Sequence, residues 1–268
     1  MSANRRPVMP YDDLTTGDGR ISAVQSLFPT APSTLSDDDL VELYAYPVER
    51  PWVRATFVVT VDGSVQGPDH RSGSISDSTD RRLLSLLRSL CDVVVVGAGT
   101  ARAEGYGPVR ATETRAALRR RLGLTGVPAI AVVSRSLDLP PDLLAAGEAP
   151  TFVLTCAAAP RDRVESLRGC CEVVEVGDDT VDPAAAMEAL IARGFQRIHT
   201  EGGPQLLHGL LADGCVDEMC LTVSPLLLGG DGYRVIRGPL LDPPVPLQLR
   251  QLLHDNGTLF CRYSRAGG

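Results

Sequence analysis

One stretch decides the fold: Thr200-Glu201-Gly202-Gly203-Pro204-Gln205-Leu206-Leu207. It follows a predicted strand at residues 197–199 and begins a predicted helix. Gly202 and Gly203 let the backbone turn tightly and approach a ligand closely, and Pro204 suits the first helical position. The free N–H groups of that first turn favour an anion, most often a phosphate. The stretch alone predicts either such a site or a plain strand-to-helix turn.

The composition is that of an ordinary globular protein of 268 residues, with 44% hydrophobic and 22% charged residues. This length corresponds to one large or two small domains. The net charge of −7 argues against nucleic acid or an anionic membrane as the general partner, so an anionic ligand needs a local site. No apolar run approaches the roughly 20 residues of a membrane helix, and no secretory signal is visible. The seven cysteines are scattered, as is typical of reduced thiols in a cytoplasmic protein.

Strand and helix patterns alternate along most of the chain. Apolar and β-branched runs predict strands at residues 53–61, 92–96, 129–133, 151–156 and 173–176. Amphipathic or capped segments predict helices at residues 77–91, 114–122, 161–168 and 182–193. The last predicted strands follow one another without a long helix, at residues 216–223, 246–253 and 258–263. The pattern predicts one α/β domain with a mixed, mostly parallel sheet flanked by helices and antiparallel strands at the C-terminus.

The first 50 residues differ from the rest. Residues 1–35 are rich in Pro, Ser, Thr, Asp and Gly without a sustained period, which predicts a mobile or loosely packed arm. Ser36 is suited to cap a short helix over residues 37–44. We therefore divide the chain into an N-terminal arm with a short helix, residues 1–50, and a main domain, residues 51–268.

Two more turns are candidate ligand sites. Residues 97–100 (GAGT) follow a buried strand, but Arg102 stands where a dinucleotide fingerprint needs Gly or Ala, so the pattern is incomplete. Residues 134–136 (SRS) follow another predicted strand and place two hydroxyls beside a guanidinium. That combination binds phosphate well, although it also occurs in ordinary polar turns.

Several short motifs occur in one order along the chain: Val59-Thr60-Val61-Asp62-Gly63, Ser72-Gly73-Ser74-Ile75-Ser76, Gly97-Ala98-Gly99-Thr100, Glu201-Gly202-Gly203-Pro204, Val216-Asp217-Glu218 and Pro225-Leu226-Leu227-Leu228-Gly229-Gly230. Together they resemble the reductase family of riboflavin biosynthesis, the RibD C-terminal domain family, whose fold is like that of dihydrofolate reductase. The resemblance covers roughly residues 53–263, and the tract at residues 97–110 is most similar to stand-alone actinobacterial-type members. It implies a single dihydrofolate-reductase-like domain.

The family reduces the ribosylamino group of 5-amino-6-ribosylaminouracil 5′-phosphate to a ribitylamino group, with NADPH, by hydride transfer to C1′ of the open imine form. The resemblance therefore implies an NADPH-dependent oxidoreductase. In such an enzyme the cofactor supplies the reducing chemistry and the protein supplies binding, orientation and electrostatics. The resemblance also implies a homodimer, with the apolar C-terminal strands as its interface.

The resemblance implies roles for individual residues. The implied cofactor ligands are Thr60 and Ser74 near the nicotinamide, Gly97, Ala98, Gly99, Thr100 and Glu104 at the first glycine turn, Gly202, Gly203, Pro204, Gln205 and Leu206 around the pyrophosphate, and Ser134, Arg135 and Ser136 at the 2′-phosphate. The implied substrate ligands are Ser72, Arg88 and Arg110 for the ribose phosphate, with Asp62 and Glu201 near the reacting centre. Asp62 and Glu201 are the candidate catalytic residues, and either Asp62 or water is the candidate proton donor.

The sequence departs from the family pattern at two places. Ser74 stands where bifunctional members often carry Trp, which removes apolar surface beside the cofactor. The spacing from Glu104 to Arg110 differs by a residue from that in the bifunctional enzymes, so Arg110 need not occupy the same position.

Two other functions remain open. A dihydrofolate or other pteridine reductase would share the fold, and Asp62 or Glu201 would then bind the ring, whereas Arg88 and Arg110 favour a ribose phosphate. A non-catalytic nucleotide-binding protein would keep the cofactor turns without turnover.

A zinc deaminase is not expected. His199 and Glu201 form an H-x-E pair, but Cys215 and Cys220 do not have the spacing of the Pro-Cys-x-x-Cys motif that completes the zinc site. We therefore predict no metal site.

Overall fold

The computed structural model describes residues 24–29 and 33–266 of the chain. Its strands are β1 (Gln25–Phe28), β2 (Ser33–Thr34), β3 (Trp52–Thr60), β4 (Val93–Gly97), β5 (Ala129–Val133), β6 (Thr151–Thr155), β7 (Glu172–Glu175), β8 (Arg197–Thr200), β9 (Glu218–Ser224), β10 (Leu247–Asp255) and β11 (Thr258–Arg265). Its α-helices are α1 (Asp37–Leu43), α2 (Ser78–Leu90), α3 (Ala98–Glu104), α4 (Ala116–Arg121), α5 (Arg161–Leu167), α6 (Pro183–Ile191) and α7 (Pro204–Ala212). None of these described helices has the length and apolar character needed to cross a membrane.

The described strands form one 11-stranded sheet in the order β2-β1-β10-β11-β9-β3-β8-β4-β5-β6-β7. The strands from β9 to β7 in that order run parallel to one another. Beyond β9, the strands β11, β10, β1 and β2 continue the sheet with antiparallel pairs. The predicted fold class, a mixed and mostly parallel sheet with antiparallel C-terminal strands, is confirmed.

The prediction of a loosely packed arm over residues 1–35 is wrong for its C-terminal part. Residues 25–28 form β1, which pairs with β10 and places Gln25 opposite His254. This part of the chain therefore contributes a strand to the main sheet; residues 1–23 and 30–32 lie outside the described residues. The predicted helix cap is confirmed, because the Ser36 hydroxyl accepts from the Asp39 N–H and the Asp39 carboxylate accepts from the Ser36 N–H.

Helices on both faces explain the continuous apolar run of β4. Val94 lies in a buried cluster with Leu86 of α2. The next residue, Val95, points to the opposite face and lies in a second cluster with Leu207 of α7. All four side chains have 0% exposure, and full burial of such a side chain stabilises the fold by roughly 1.5–3 kcal/mol. A strand covered on both faces has no polar side, which is why its sequence does not alternate.

Parallel pairing brings several strand ends to one edge of the sheet. Thr200, the last residue of β8, lies opposite Ala55 of β3 on one side and Val95 of β4 on the other. The segments that leave β8, β4 and β5 therefore emerge side by side. This edge is where the glycine-rich and serine-rich turns of the sequence meet.

A buried ion pair joins β3 to β9. Arg54 and Glu218 lie opposite each other in the two strands, and Arg54 Nε donates to Glu218 Oε1 at 2.6 Å, with side-chain exposures of 0% and 4%. Arg262 of β11 lies 3.3 Å from the other carboxylate oxygen. The Arg54 guanidinium also stacks 4.0 Å from the centroid of the Tyr46 ring. Each charge is desolvated, so each depends on its partner.

Replacement of Glu218 with Gln should leave the Arg54 guanidinium buried without a counter-charge. We expect the free energy of unfolding to fall by about 3–5 kcal/mol, measured by urea denaturation. The matched control is Asp38→Asn, which removes a carboxylate from the surface pair with Arg121 and should cost no more than about 1 kcal/mol. Similar losses in both variants would show that the buried pair has no special role.

Candidate active site

A cavity of about 1540 Å³ lies at the carboxyl edge of the sheet, beside β3 and the ends of β8, β4 and β5. It exceeds the roughly 300–1,000 Å³ of a typical small-molecule site, so it has room for a dinucleotide and a second small ligand. Most of the predicted site residues line it: Ser72, Arg88, Gly97, Ala98, Gly99, Thr100, Glu104, Ser134, Arg135, Ser136, Glu201, Gly203, Pro204, Gln205 and Leu206. Open α/β sheets generally bind ligands at this edge.

The two glycine turns meet at the base of the cavity. The Gly97 N–H donates to the Gly202 carbonyl at 2.6 Å, which joins the turn after β4 to the turn after β8. Gly202 has a φ of +83°, and a Cβ there would lie 2.2 Å from Cζ of Phe57. A Cβ at Gly203 would lie 2.2 Å from Oγ1 of Thr100. The glycines therefore allow two backbone segments to approach each other and leave both open to a ligand.

The first turn of α7 has free N–H groups. Its cap residue Gly203 provides no side-chain hydrogen bond, and Pro204 occupies its start. By contrast, α1, α2 and α6 are capped by the side chains of Ser36, Asp77 and Asp182. Because α7 begins at the cavity, the positive end of its dipole and its unpaired N–H groups face a possible ligand. These are the properties that a phosphate-binding helix needs.

The Ser-Arg-Ser turn after β5 carries an exposed cation, Arg135. The hydroxyl oxygen of Ser134 accepts from the Leu137 N–H at 2.9 Å, so its own hydrogen remains available for donation. Ser136 lies on the other side of Arg135 and is exposed. No carboxylate within the described ranges pairs with the exposed Arg135 guanidinium. The turn therefore presents a free positive charge and hydroxyl donors at the cavity wall.

Glu201 lies at the centre of a buried polar cluster. Its carboxylate accepts from Nε and Nη2 of Arg88, both at 2.7 Å, and from the Tyr106 hydroxyl at 2.5 Å. Burial raises the pKa of the Glu201 carboxyl, but the Arg88 guanidinium, together with His199 and the Tyr106 hydroxyl, outweighs burial and lowers the pKa to about 2. Glu201 is thus ionised at neutral pH.

Arg88 lies at the cavity and is paired with two carboxylates. Besides Glu201, its guanidinium binds Glu113 through Nη1 at 2.6 Å. Arg88 borders the cavity and its donors serve two carboxylates, so it holds Glu201 in place. Its predicted contact with a ribose phosphate stays a prediction. The three groups together carry a net charge of −1, from one guanidinium and two carboxylates.

His199 is the buried neighbour of Glu201. Its Nε2 lies 2.8 Å from Thr56 Oγ1, and its Nδ1 lies 3.8 Å from Glu201 Oε1. Burial lowers the pKa of the ring to about 4, although the Glu201 charge opposes this. The ring is therefore neutral at neutral pH, and the residue packs in β8 instead of serving as a cation.

Some predicted site residues are absent from the cavity lining: Thr60, Asp62, Ser74, Arg110 and Gly202. The Asp62 carboxylate accepts from the N–H groups of Leu228 at 3.0 Å and Gly229 at 2.6 Å. The Thr60 hydroxyl donates to it at 2.5 Å, and this bond, followed by the backbone ones, lowers the pKa of Asp62. Asp62 thus holds the glycine-rich loop after β9, a position that does not support its predicted catalytic role.

Ser74 and Arg110 also make local contacts outside the cavity. The Ser74 hydroxyl donates to Asp69 Oδ1 at 2.6 Å. Arg110 is exposed, and its backbone N–H donates to Glu113 Oε2 at 2.7 Å. Gly202 contributes through its backbone, since its carbonyl accepts from Gly97. The structure therefore does not bring these predicted cofactor or phosphate ligands to the cavity.

Tyr106 and Asp80 are two of the lining residues that the sequence did not predict. Tyr106, which donates to Glu201, lies between two glycines in a tract whose pattern indicates only a loop. Asp80 lies in the first turn of α2, where an acidic residue is expected for the helix dipole alone. Only the packing of distant segments reveals that both face the cavity. Within the described part of the chain, no group of three or more His, Cys, Asp or Glu residues could hold a metal ion.

Comparison with known proteins agrees with the motif resemblance. The family model of the RibD C-terminal domain matches residues 51–258. The chain is 32% identical over 189 residues to the 2,5-diamino-6-ribosylamino-4(3H)-pyrimidinone 5′-phosphate reductase of Methanothermobacter thermautotrophicus. The aligned residues cover 70% of this chain and 83% of that relative.

Solved structures share the fold. A pyrimidine reductase-like protein from Corynebacterium diphtheriae superposes with a TM-score of 0.74 at 30% identity, over 85% of this chain and 99% of that one. The diaminohydroxyphosphoribosylaminopyrimidine deaminase/5-amino-6-(5-phosphoribosylamino)uracil reductase of Thermotoga maritima superposes with a TM-score of 0.59 at 18% identity, over 81% of this chain and 57% of that one.

The buried state of His199 predicts a specific pH dependence of stability. Because the pKa of the ring is lowered in the folded state, the unfolded chain takes up the proton first as the pH falls from about 6.5 towards 4. Between pH 7 and about pH 4.5 this group alone should remove roughly 2–3 kcal/mol of stability. In His199→Gln this loss should be missing, so the variant should show a flatter pH dependence of the free energy of unfolding. His70→Asn, at an exposed histidine, is the control and should follow the wild type; identical profiles for all three proteins would contradict the assignment.

Proposed function

Because the chain belongs to the RibD C-terminal domain family, we propose that it is an NADPH-dependent reductase of riboflavin biosynthesis. Its substrate is a 6-ribosylaminopyrimidine 5′-phosphate, which is reduced at C1′ to the ribitylamino product. The observation that supports this most strongly is a cavity wall that brings three groups together. They are the uncapped N-terminus of α7, the Arg135 guanidinium, which has no carboxylate partner among the described residues, and the ionised, buried Glu201. Relatives named as reductases of such a pyrimidine support the reaction class.

The chain has groups suited to each phosphate of the cofactor. The pyrophosphate would lie between residues 97–100 and the first turn of α7, where α3 and α7 both begin at the cavity without a side-chain cap. The 2′-phosphate would lie at Ser134, Arg135 and Ser136. A protein with a net charge of −7 needs such a local cation to hold a phosphorylated dinucleotide. NADPH, when bound, supplies the hydride that adds to C1′ of the imine while the imine nitrogen takes up a proton.

Glu201 is suited to electrostatic support of this reaction. Since its carboxyl is ionised at neutral pH, it has no proton to give. It can accept hydrogen bonds from hydroxyls of the open sugar, and the net charge of −1 on its cluster with Arg88 and Glu113 favours a protonated imine. Arg88 and Tyr106 position the carboxylate. Because Asp62 lies outside the cavity lining and Glu201 is ionised, we assign the proton of this step to water.

Two pyrimidine rings are candidates for the ring of the substrate. The motif resemblance implies 5-amino-6-ribosylaminouracil 5′-phosphate, whose ring carries an oxygen at C2. The name of the Methanothermobacter relative specifies a 2,5-diaminopyrimidinone, whose ring carries an amino group at C2. Both present the same C1′ to the hydride, so the reaction proposed here holds for either ring.

We also propose a homodimer that acts in the cytoplasm. Leu240 and Leu247, near the C-terminal strands, expose 91% and 46% of their surfaces, and symmetric dimers are the commonest oligomers. The cysteines, all within the described residues, have free thiols, as suits a reducing compartment. A monomer in sedimentation equilibrium would contradict the dimer.

The test of the function is NADPH oxidation by the purified chain, followed by the loss of reduced-nicotinamide absorbance. Three substrates are compared: the ribosylaminouracil phosphate, the 2,5-diamino compound and dihydrofolate. We expect turnover with one or both pyrimidine phosphates and none with dihydrofolate. Turnover mainly with dihydrofolate would place the chain among pteridine reductases. NADPH binding without turnover of any substrate would indicate a non-catalytic nucleotide-binding protein.

The position of Arg135 predicts a cofactor preference. Arg135→Ala should weaken NADPH binding by about 1–3 kcal/mol while NADH binding changes little, because only NADPH carries the 2′-phosphate. The measurement is equilibrium titration of each reduced cofactor by fluorescence. Arg120→Ala removes the same charge from an exposed position on α4, outside the cavity, and should leave both affinities unchanged. Equal losses for NADPH and NADH in Arg135→Ala would remove the residue from the 2′-phosphate site.

A further inference from the structure

Asp80 is a buried carboxylate at the cavity that the proposed cofactor site does not use. It lies in the first turn of α2 with an exposure of 8%, and it lines the cavity together with Thr56, Ser76 and Leu84. The cofactor groups lie elsewhere, at the ends of β8, β4 and β5. Asp80 instead lies next to β9, where Thr222 is its partner. With the cofactor in the proposed place, Asp80 would lie in the part of the cavity left for the substrate.

Hydroxyl groups hold this carboxylate in place. The Ser76 hydroxyl donates to Asp80 Oδ2 at 2.5 Å, and the Thr222 hydroxyl of β9 is a second hydrogen-bond partner. The backbone N–H of Asp80 is bound separately by Asp77 Oδ1 at 2.7 Å. An ionised carboxylate offers about four acceptor positions, so the two hydroxyls leave capacity for a ligand.

The charges around Asp80 are few and local. Burial raises the pKa of its carboxyl, whereas the hydroxyl of Ser76 acts in the opposite direction. Asp77 is the N-cap of the same first turn, and Arg81 follows Asp80 directly, with its Nη1 donating to the Ser76 carbonyl at 2.7 Å. A ligand that offers N–H donors to this carboxylate would replace the water it loses on burial.

We propose that Asp80 recognises the edge of the pyrimidine ring and selects a ring with an amino group at C2 over one with an oxygen there. The inference rests on the proposed function and deepens it. A 2-amino-4(3H)-pyrimidinone presents two adjacent donors, N3–H and the C2 amino group, which a carboxylate accepts with both oxygens. A uracil ring presents N3–H beside the C2 carbonyl, so one carboxylate oxygen faces another acceptor. The 2,5-diaminopyrimidinone is therefore the preferred substrate.

The test compares kcat/KM for the two pyrimidine phosphates in the wild type and in Asp80→Asn. The wild type should favour the 2-amino ring by about 10- to 100-fold, the usual discrimination of a bidentate contact. Asn offers one acceptor and one donor, which match N3–H and the C2 oxygen of uracil. The preference ratio in Asp80→Asn should therefore fall by a similar factor, with activity towards the uracil compound retained or raised.

Asp77→Asn is the matched control. It makes the same change on the same helical turn, but Asp77 binds the Asp80 N–H and the Thr258 hydroxyl and does not line the cavity. It should lower the melting temperature and leave the substrate ratio unchanged. If loss of stability alone lowered the ratio of the two kcat/KM values, the ratio would fall in both variants. That result would overturn the role of Asp80.

A second measurement uses the wild type alone and needs no folded variant. Calorimetric titration with the two ribitylamino products, without cofactor, should show tighter binding of the 2-amino product by at least about tenfold. Equal affinities, or a wild-type kcat/KM that favours the uracil, would overturn the inference while the reductase function stands. If neither pyrimidine is reduced, the proposed function fails and the inference about Asp80 fails with it.

Discussion

Parallel pairing of β8 between β3 and β4 is the constraint on which the site depends. Thr200 ends β8 opposite Ala55 and Val95, and the Glu201 N–H continues the ladder to the Val95 carbonyl at 3.0 Å. The chain then turns through two glycines, one of which accepts from Gly97 at the end of β4. This one register places the backbone of the anion-binding turns, the start of α7 and the Glu201 carboxylate. A shift of one residue would point Glu201 to the other face of the sheet.

The charged residues of the chain differ in their partners and in whether they lie at the cavity. Arg54 and Glu218 neutralise each other between β3 and β9 and do not line the cavity. Arg88 and Glu201 do so beside the cavity, where the second carboxylate of Glu113 leaves one negative charge in excess. Asp80 differs again, because hydroxyls from Ser76 and Thr222 support it. Arg135 is exposed and has no carboxylate partner among the described residues, so its guanidinium is available to bind a phosphate.

Much of the fold could be predicted because its signals are local. The valine run of β4 indicates a strand covered on both faces, and Pro204 after two glycines marks the start of α7. Strand β1 was missed because its four residues include only two apolar side chains and it depends on pairing with β10. The turns that line the cavity were also found from local glycine and serine patterns.

The roles of charged side chains were harder to predict, because they depend on contacts between distant segments. Arg88 is a helix residue whose sequence does not show that Glu113 and Glu201 take up its donors. Asp62 follows a strand as a catalytic residue would, yet it accepts hydrogen bonds from a loop more than 160 residues later. A crystal structure of the chain with NADPH tests most directly whether the cofactor lies along the carboxyl edge of β8, β4 and β5. The proposed placement puts the pyrophosphate between the turn after β4 and the first turn of α7, with the 2′-phosphate at Arg135. A dinucleotide bound anywhere else, or one whose 2′-phosphate points away from Arg135, would contradict it.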